Sequence, residues 1–208
     1  MKILFYGDSI TDMNRFRDHE DGTVYSYGVG YPNFVVGELS YKEPTKYAFI
    51  NRGISGNRIV DLYARVKIDV WNHKPDVLSI LIGVNDVWHH FSHNIETTPE
   101  YFESNLRKIL STIKETMGAK LVMIEPFLLY GSDKVNMLEE LDEKIRIERA
   151  LAQEYADAYL PMQAIFAAET LRTPYTEFSG DGVHPNAGGA GFIAQKVLDT
   201  IEPLMADL

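Results

Sequence analysis

The stretch Tyr6-Gly7-Asp8-Ser9-Ile10-Thr11-Asp12 lies directly behind the apolar run Ile3-Leu4-Phe5. A short, continuous apolar run bounded by glycine reads as a buried strand ending in a sharp turn, with Ser9 at its carboxyl end. In an open parallel sheet, reacting groups collect outside those ends. A serine there is a nucleophile if a base reaches its hydroxyl. The same residues also suit a turn with no chemistry, because Asp8, Ser9, Thr11 and Asp12 are all good helix caps. Partners elsewhere in the chain decide between the two.

One candidate partner lies in Ser179-Gly180-Asp181-Gly182-Val183-His184-Pro185-Asn186. Asp181 precedes His184 by three residues across Gly182, a spacing that lets a carboxylate reach Nδ1 and leaves Nε2 facing outward to a serine. A plain turn before a helix capped by Asn186 accounts for the pair equally well. Acyl transfer also needs donors for the oxyanion, each worth about 3 kcal/mol. Ser9 offers its backbone N–H, Gly56 an N–H unshielded by a side chain, and Asn85 an amide; Gly56 could instead supply only a positive φ, and Asn85 a bridge within its turn. Trp88 suits either a sugar-stacking platform or the core. His89, His90 and His93 look like a metal cluster, but they fall in what reads as a polar loop with no carboxylate at a ligand spacing.

Elements able to position these residues recur along the chain. Apolar runs predict strands at 3–5, 47–50, 76–82, 120–124 and 158–160, and 3.6-residue periodicity predicts helices at 31–39, 58–72, 99–117, 136–155, 162–171 and through 192–201. Residues 13–30 read as a long loop, of the kind that commonly carries function. Alternation of strand and helix predicts a three-layer α/β/α sandwich, its five-stranded central sheet mostly parallel, in one domain spanning 1–208. Right-handed crossovers would bring the turns at Ser9, Gly53–Asn57 and Gly83–Asp86 to one sheet edge, and the Asp181–His184 turn can fold back over it.

A net charge of −10, from 20 basic and 30 acidic residues among 208, argues against nucleic acid or an anionic membrane as partner. There is no cysteine, so thiolate catalysis and disulfides are excluded. No apolar run approaches the roughly 20 residues that span a bilayer, and the opening Met1-Lys2-Ile3 enters a strand without a secretory signal, so a cytoplasmic protein is expected. Tyr130 and Tyr175 are candidates for an interface between copies, although scattered surface aromatics are ordinary.

Taken together, Gly7-Asp8-Ser9, the Gly56 turn, Gly83-Val84-Asn85-Asp86 and Asp181-Gly182-Val183-His184-Pro185 resemble, in order, the four blocks of the SGNH hydrolases, also called the GDSL esterase and lipase family. The resemblance implies a flavodoxin-like fold, Ser9 as nucleophile, His184 as base, Asp181 as its orienting carboxylate, Ser9, Gly56 and Asn85 as oxyanion donors, and no metal or organic cofactor. The extended blocks from Gly7 to Asp12, from Asn51 to Asn57 and from Ile82 to Trp88 look most like intracellular acetylxylan esterases, which implies an acetylated xylo-oligosaccharide or related sugar as substrate. Rival readings are a lysophospholipase or short-chain acyl thioesterase on the same machinery, and a catalytically dead sugar-binding module. A third rival is a metal-dependent phosphoesterase using Asp8, Asp12, Asn85, Asp86, Asp181 and His184 as ligands.

Overall fold

The computed structural model describes residues 1–18, 22–206 and 208; positions 19–21 of the expected 13–30 loop lie outside the described residues. Strand β1 (Lys2–Gly7) runs into a single turn, α1 (Ser9–Asp12); a short α2 (Val24–Tyr27) and then α3 (Tyr31–Lys42) lead to β2 (Ala48–Gly53). Next come α4 (Ile59–Asp69), β3 (Val77–Leu81), α5 (Val84–His93), α6 (Pro99–Thr116) and β4 (Lys120–Ile124). The described elements finish with α7 (Leu138–Tyr155), β5 (Ala158–Leu160), α8 (Met162–Glu169) and α9 (Ala187–Met205).

The strands pair in the order β2-β1-β3-β4-β5, every pair parallel. Successive residues of β1 enter opposite cores. Ile3 and Phe5 pack in the cluster that holds Val35 and Leu39 of α3, Phe166 of α8 and Ile193 of α9. Leu4 and Tyr6 pack in the one that holds Leu62 of α4 and Leu106 of α6. A strand covered on both faces has no solvent side, so its sequence is apolar without alternation. Helix α7 reaches both clusters, through Leu141 and Ile145 in one and Leu151 in the other. The result is a three-layer α/β/α sandwich.

Strand order reverses at β1, which has β2 on one side and β3 on the other. The carboxyl ends of these three strands border the switch-point crevice where such sheets place their ligands. Ser9 follows β1, Gly56 follows β2 and Asn85 follows β3. Two glycines let the Ser9 turn seat against its neighbours: a Cβ on Gly53 would run into the backbone nitrogen of Asp12, and one on Gly7 into the carbonyl oxygen of Leu81. Bulk at either position would lift α1 off the sheet.

Two expectations need correction. Residues 89–94 are not a loop, since α5 continues to His93 and ends on Asn94 in the left-handed conformation at φ 55°, an ordinary asparagine role at helix ends. Burial of Val84 and Val87 anchors its first turn, and a polar continuation costs little once that turn is fixed. Tyr175 is only half-exposed and packs against the core and over Gly131, leaving Tyr130 as the exposed member of the pair. The 13–30 region is pinned where it is described. Asn51 Nδ2 donates to the carbonyls of Thr11 at 2.7 Å and Tyr27 at 2.9 Å, Arg15 Nε donates to that of Gly53 at 2.8 Å, and Val29 N–H bonds Met13 at 2.8 Å.

Candidate active site

Asp8 caps α1, its Oδ1 accepting from Ile10 N–H at 3.0 Å, and this turn presents Ser9 at the end of β1. Within hydrogen-bond distance of the Ser9 hydroxyl, at 2.9 Å, stands Nε2 of His184. The other ring nitrogen, Nδ1, lies 2.7 Å from Asp181 Oδ2. A neutral imidazole that donates from Nδ1 to a carboxylate must offer Nε2 as an acceptor, which is the tautomer a base for Ser9 needs. A serine near the start of the chain and an Asp–His pair 175 positions on therefore meet in the order carboxylate, imidazole, hydroxyl.

The Asp181–His184 turn is knitted by its own backbone. Asp181 Oδ1 accepts from Val183 N–H at 2.9 Å and His184 N–H at 2.8 Å. Ser179, which sequence reasoning passed over, has its hydroxyl 3.0 Å from Asp181 Oδ1 and 2.7 Å from the His184 carbonyl, and it accepts from Gly182 N–H at 2.9 Å. A serine two residues ahead of an aspartate in a glycine-rich turn is the signal that could have found it. Asn186 then caps α9 as expected, its side chain accepting from Gly189 N–H.

These contacts set the charges. Burial pushes the Asp181 carboxyl up, but the bonds from the His184 ring and from the N–H groups of Val183 and His184 outweigh it and hold the group well below the usual carboxylate range. His184 is raised, chiefly by its bond to Asp181; burial and Lys134 oppose the rise, while the charges of Asp181 and Asp8 assist it. Because a raised value keeps the ring protonated to higher pH, the His184 ring should titrate above about 6.5. In Asp181→Asn the midpoint should fall. An NMR titration of the ring protons reads both; an unchanged midpoint in the variant would remove Asp181 as the cause.

The three expected oxyanion donors face the same cleft. Ser9, Gly56 and Asn85 line it together with Trp88 and His184. Gly56 holds φ at +82°, a left-handed conformation that favours glycine, with open space where a Cβ would stand. Asn85 sits in the first turn of α5, and its Nδ2 donates to the Asn57 carbonyl at 3.1 Å. One amide hydrogen is used in that bond, leaving the second for a ligand. Trp88 is half-buried against the core and also lines the cleft, with its ring 5.7 Å from that of His184 and Lys134 Nζ 5.1 Å from the indole.

The histidines of α5 diverge. His89 and His93 line the cleft, whereas His90 Nδ1 bonds Glu140 of α7 at 2.8 Å. Among the described residues no three His, Asp or Glu side chains gather as a metal-binding group. The carboxylates considered as phosphoesterase ligands are occupied separately. Asp8 caps α1 and Asp86 accepts from Ile59 N–H at the start of α4; burial pushes both carboxyls up to about 7. Asp12 Oδ2 takes Ser55 N–H and Ser55 Oγ, each at 2.8 Å, and Arg17. Asp181 serves His184.

The model of the GDSL-like lipase/acylhydrolase family matches residues 5–191. An acetylxylan esterase of Geobacillus stearothermophilus is 34% identical over 206 residues, covering 96% of this chain and 93% of the relative. The crystal structure of the acetylxylan esterase Axe2 from the same organism superposes with a TM-score of 0.87 at 32% identity, covering 95% of this chain and 92% of that one. A thioesterase 1/protease 1/lysophospholipase L1 of Escherichia coli is 27% identical over 168 residues, covering 80% and 73% of the two chains. Among the described residues no helix is long and apolar enough to cross a membrane. With a family match that runs from the first strand into the last helix, and a relative alike along almost the whole chain, the protein belongs to the GDSL-like lipase/acylhydrolase family and is a carboxylic ester hydrolase.

Proposed function

We propose that the chain removes acetyl groups from short acetylated xylo-oligosaccharides or related sugars through an acyl-enzyme on Ser9. The observation that carries this reading is the 2.9 Å contact between His184 Nε2 and Ser9 Oγ, with Asp181 on Nδ1. His184 takes the Ser9 proton as Oγ attacks the ester carbonyl, and the N–H groups of Ser9 and Gly56 and the Asn85 amide receive the negative charge that develops on the carbonyl oxygen. Collapse of the tetrahedral species breaks the bond to the alcohol, which leaves with the proton held by His184. Water, deprotonated by the same imidazole, attacks the acyl-enzyme, and the acid departs as Ser9 recovers its proton. Each step uses side chains and backbone groups of this chain.

The walls of the cleft support a small acyl group on a polar alcohol. It encloses about 540 Å³ and, beside Ser9, His184, Gly56 and Asn85, is bordered by Asn14, Ser55, His89, Ser92 and His93, with Met13 and Trp88 as the large apolar contributors. Hydroxyl and imidazole groups match sugar hydroxyls, and an indole face suits a pyranose ring. Short oligosaccharides, rather than polymer, are also what a cytoplasmic enzyme would meet. The similarity to acetylxylan esterases favours the same substrate, while that to a thioesterase and lysophospholipase keeps longer acyl groups as the alternative to test.

A substrate panel on the purified protein separates them. Acetate release from acetylated xylose and xylo-oligosaccharides should exceed hydrolysis of longer acyl esters, and a preference for acyl chains of about eight carbons or more would overturn the choice. Because His184 must be neutral to accept a proton, kcat/KM should rise with pH through its raised value.

A further inference from the structure

We propose that Arg65 is a positioning residue for the oxyanion hole: one guanidinium holds all three donor-bearing segments in register from behind the cleft. The inference rests on the oxyanion assignment made above. Arg65 lies on α4 with its side chain 14% exposed, its guanidinium 4.5 Å from the Tyr6 ring, and it is absent from the residues that line the cleft.

Three of its hydrogen bonds end on segments that lead into the site. Nη2 donates at 2.8 Å to the carbonyl of Gly7, two residues before Ser9. Nη1 donates at 2.8 Å to the carbonyl of Arg52, on the last part of β2 before the Gly56 turn. Nε donates at 2.7 Å to Asn57 Oδ1. Asn57 directly follows Gly56, and its carbonyl accepts from Asn85 Nδ2. The guanidinium thus fixes the approach to the Ser9 N–H, the turn that aims the Gly56 N–H and, through Asn57, the acceptor that orients the Asn85 amide. Asp69, one turn along α4, accepts from Nη1 at 2.7 Å and fixes the fork in turn.

A planar fork with donors in fixed directions does this and an ammonium cannot, because only the guanidinium reaches three separated acceptors in one plane. Preorganised donors act on the transition state only if they are held within a few tenths of an ångström of where the oxyanion forms. A merely structural arginine would change stability and leave turnover per folded molecule intact.

The test compares Arg65→Lys, Asn57→Ala and Asn85→Ala for kcat, KM, thermal stability and inhibition by a boronic acid that forms a tetrahedral anion on Ser9. In folded Arg65→Lys, kcat should fall roughly 10- to 100-fold with KM little changed, and boronate affinity should weaken in proportion. Asn57→Ala, which leaves the arginine its other partners, should show the same pattern on a smaller scale. Placed in the Asn85→Ala background, Arg65→Lys should cost much less than it does alone, because part of its effect runs through that amide. Unchanged kcat in Arg65→Lys, or full multiplication of the two effects, would overturn the proposal. If Arg65→Lys does not fold, unchanged kcat in Asn57→Ala overturns it alone. Full activity in Asn85→Ala would instead strike the oxyanion assignment itself and remove the basis of the proposal with it.

Discussion

Ser9→Ala and His184→Ala should each lower kcat/KM for acetate release by roughly 10⁴- to 10⁶-fold, and the double variant should be little worse than either alone. The hydroxyl and the imidazole act as one unit, since the ring has no proton to remove without Ser9 and the hydroxyl remains a poor nucleophile without the ring. The 2.9 Å separation leaves no room for an intervening water and defines the pair. Neither substitution disturbs packing greatly. Ser9 needs only to fit behind Asp8, whose cap on Ile10 is independent of it, and the Asp181 turn keeps its backbone bonds to Val183 and residue 184. Circular dichroism should therefore stay native while steady-state turnover collapses. Retention of most of the activity by folded Ser9→Ala would remove the nucleophile from the mechanism.

The second large effect is expected at Asn85. Replacing it by alanine should reduce kcat by roughly 10²- to 10³-fold with little change in KM, because the amide meets charge that exists only as the carbonyl becomes tetrahedral. Its place in the first turn of α5 follows from Gly83, which holds φ at 124° between β3 and the helix, and from the Asn57 carbonyl that consumes one amide hydrogen. Asn85→Asp should be at least as damaging, since a carboxylate in that position offers no donor and opposes the developing charge. Steady-state kinetics on one acetyl ester read both variants; a loss confined to KM would assign Asn85 to ground-state binding instead.

Much of this arrangement is legible in the sequence, for reasons that differ from element to element. The continuous apolar run of 3–5 and the stronger one at 76–82 read as strands because both faces of a covered parallel strand are buried, and their glycine-bearing ends read as turns. The spacing of Asp181 and His184 is a local property of one turn, so it is visible in the sequence and is met in the 2.7 Å contact. What escaped depends on contacts between distant segments. No local pattern says that Arg65 of α4 reaches the Gly7 carbonyl or that Asp12 holds Ser55. The helical state of His89, His90 and His93 escaped for a related reason. Their own propensities are indifferent, and the helix is decided by burial of Val84 and Val87 a turn earlier. The same burial sends His90 toward Glu140 while His89 and His93 border the cleft.

Ser9 and His184, the proposed nucleophile and base, are 175 positions apart, one beside the first strand and the other in the turn before the last helix. During synthesis, a ribosome-bound chain complete through β5 already carries Ser9, Gly56 and Asn85 but still lacks the His184 imidazole, so it should hydrolyse esters no better than His184→Ala does. Closing so long a loop should be a late event in assembly, and the onset of full hydrolysis should therefore mark the docking of the Asp181–His184 turn rather than collapse of the chain.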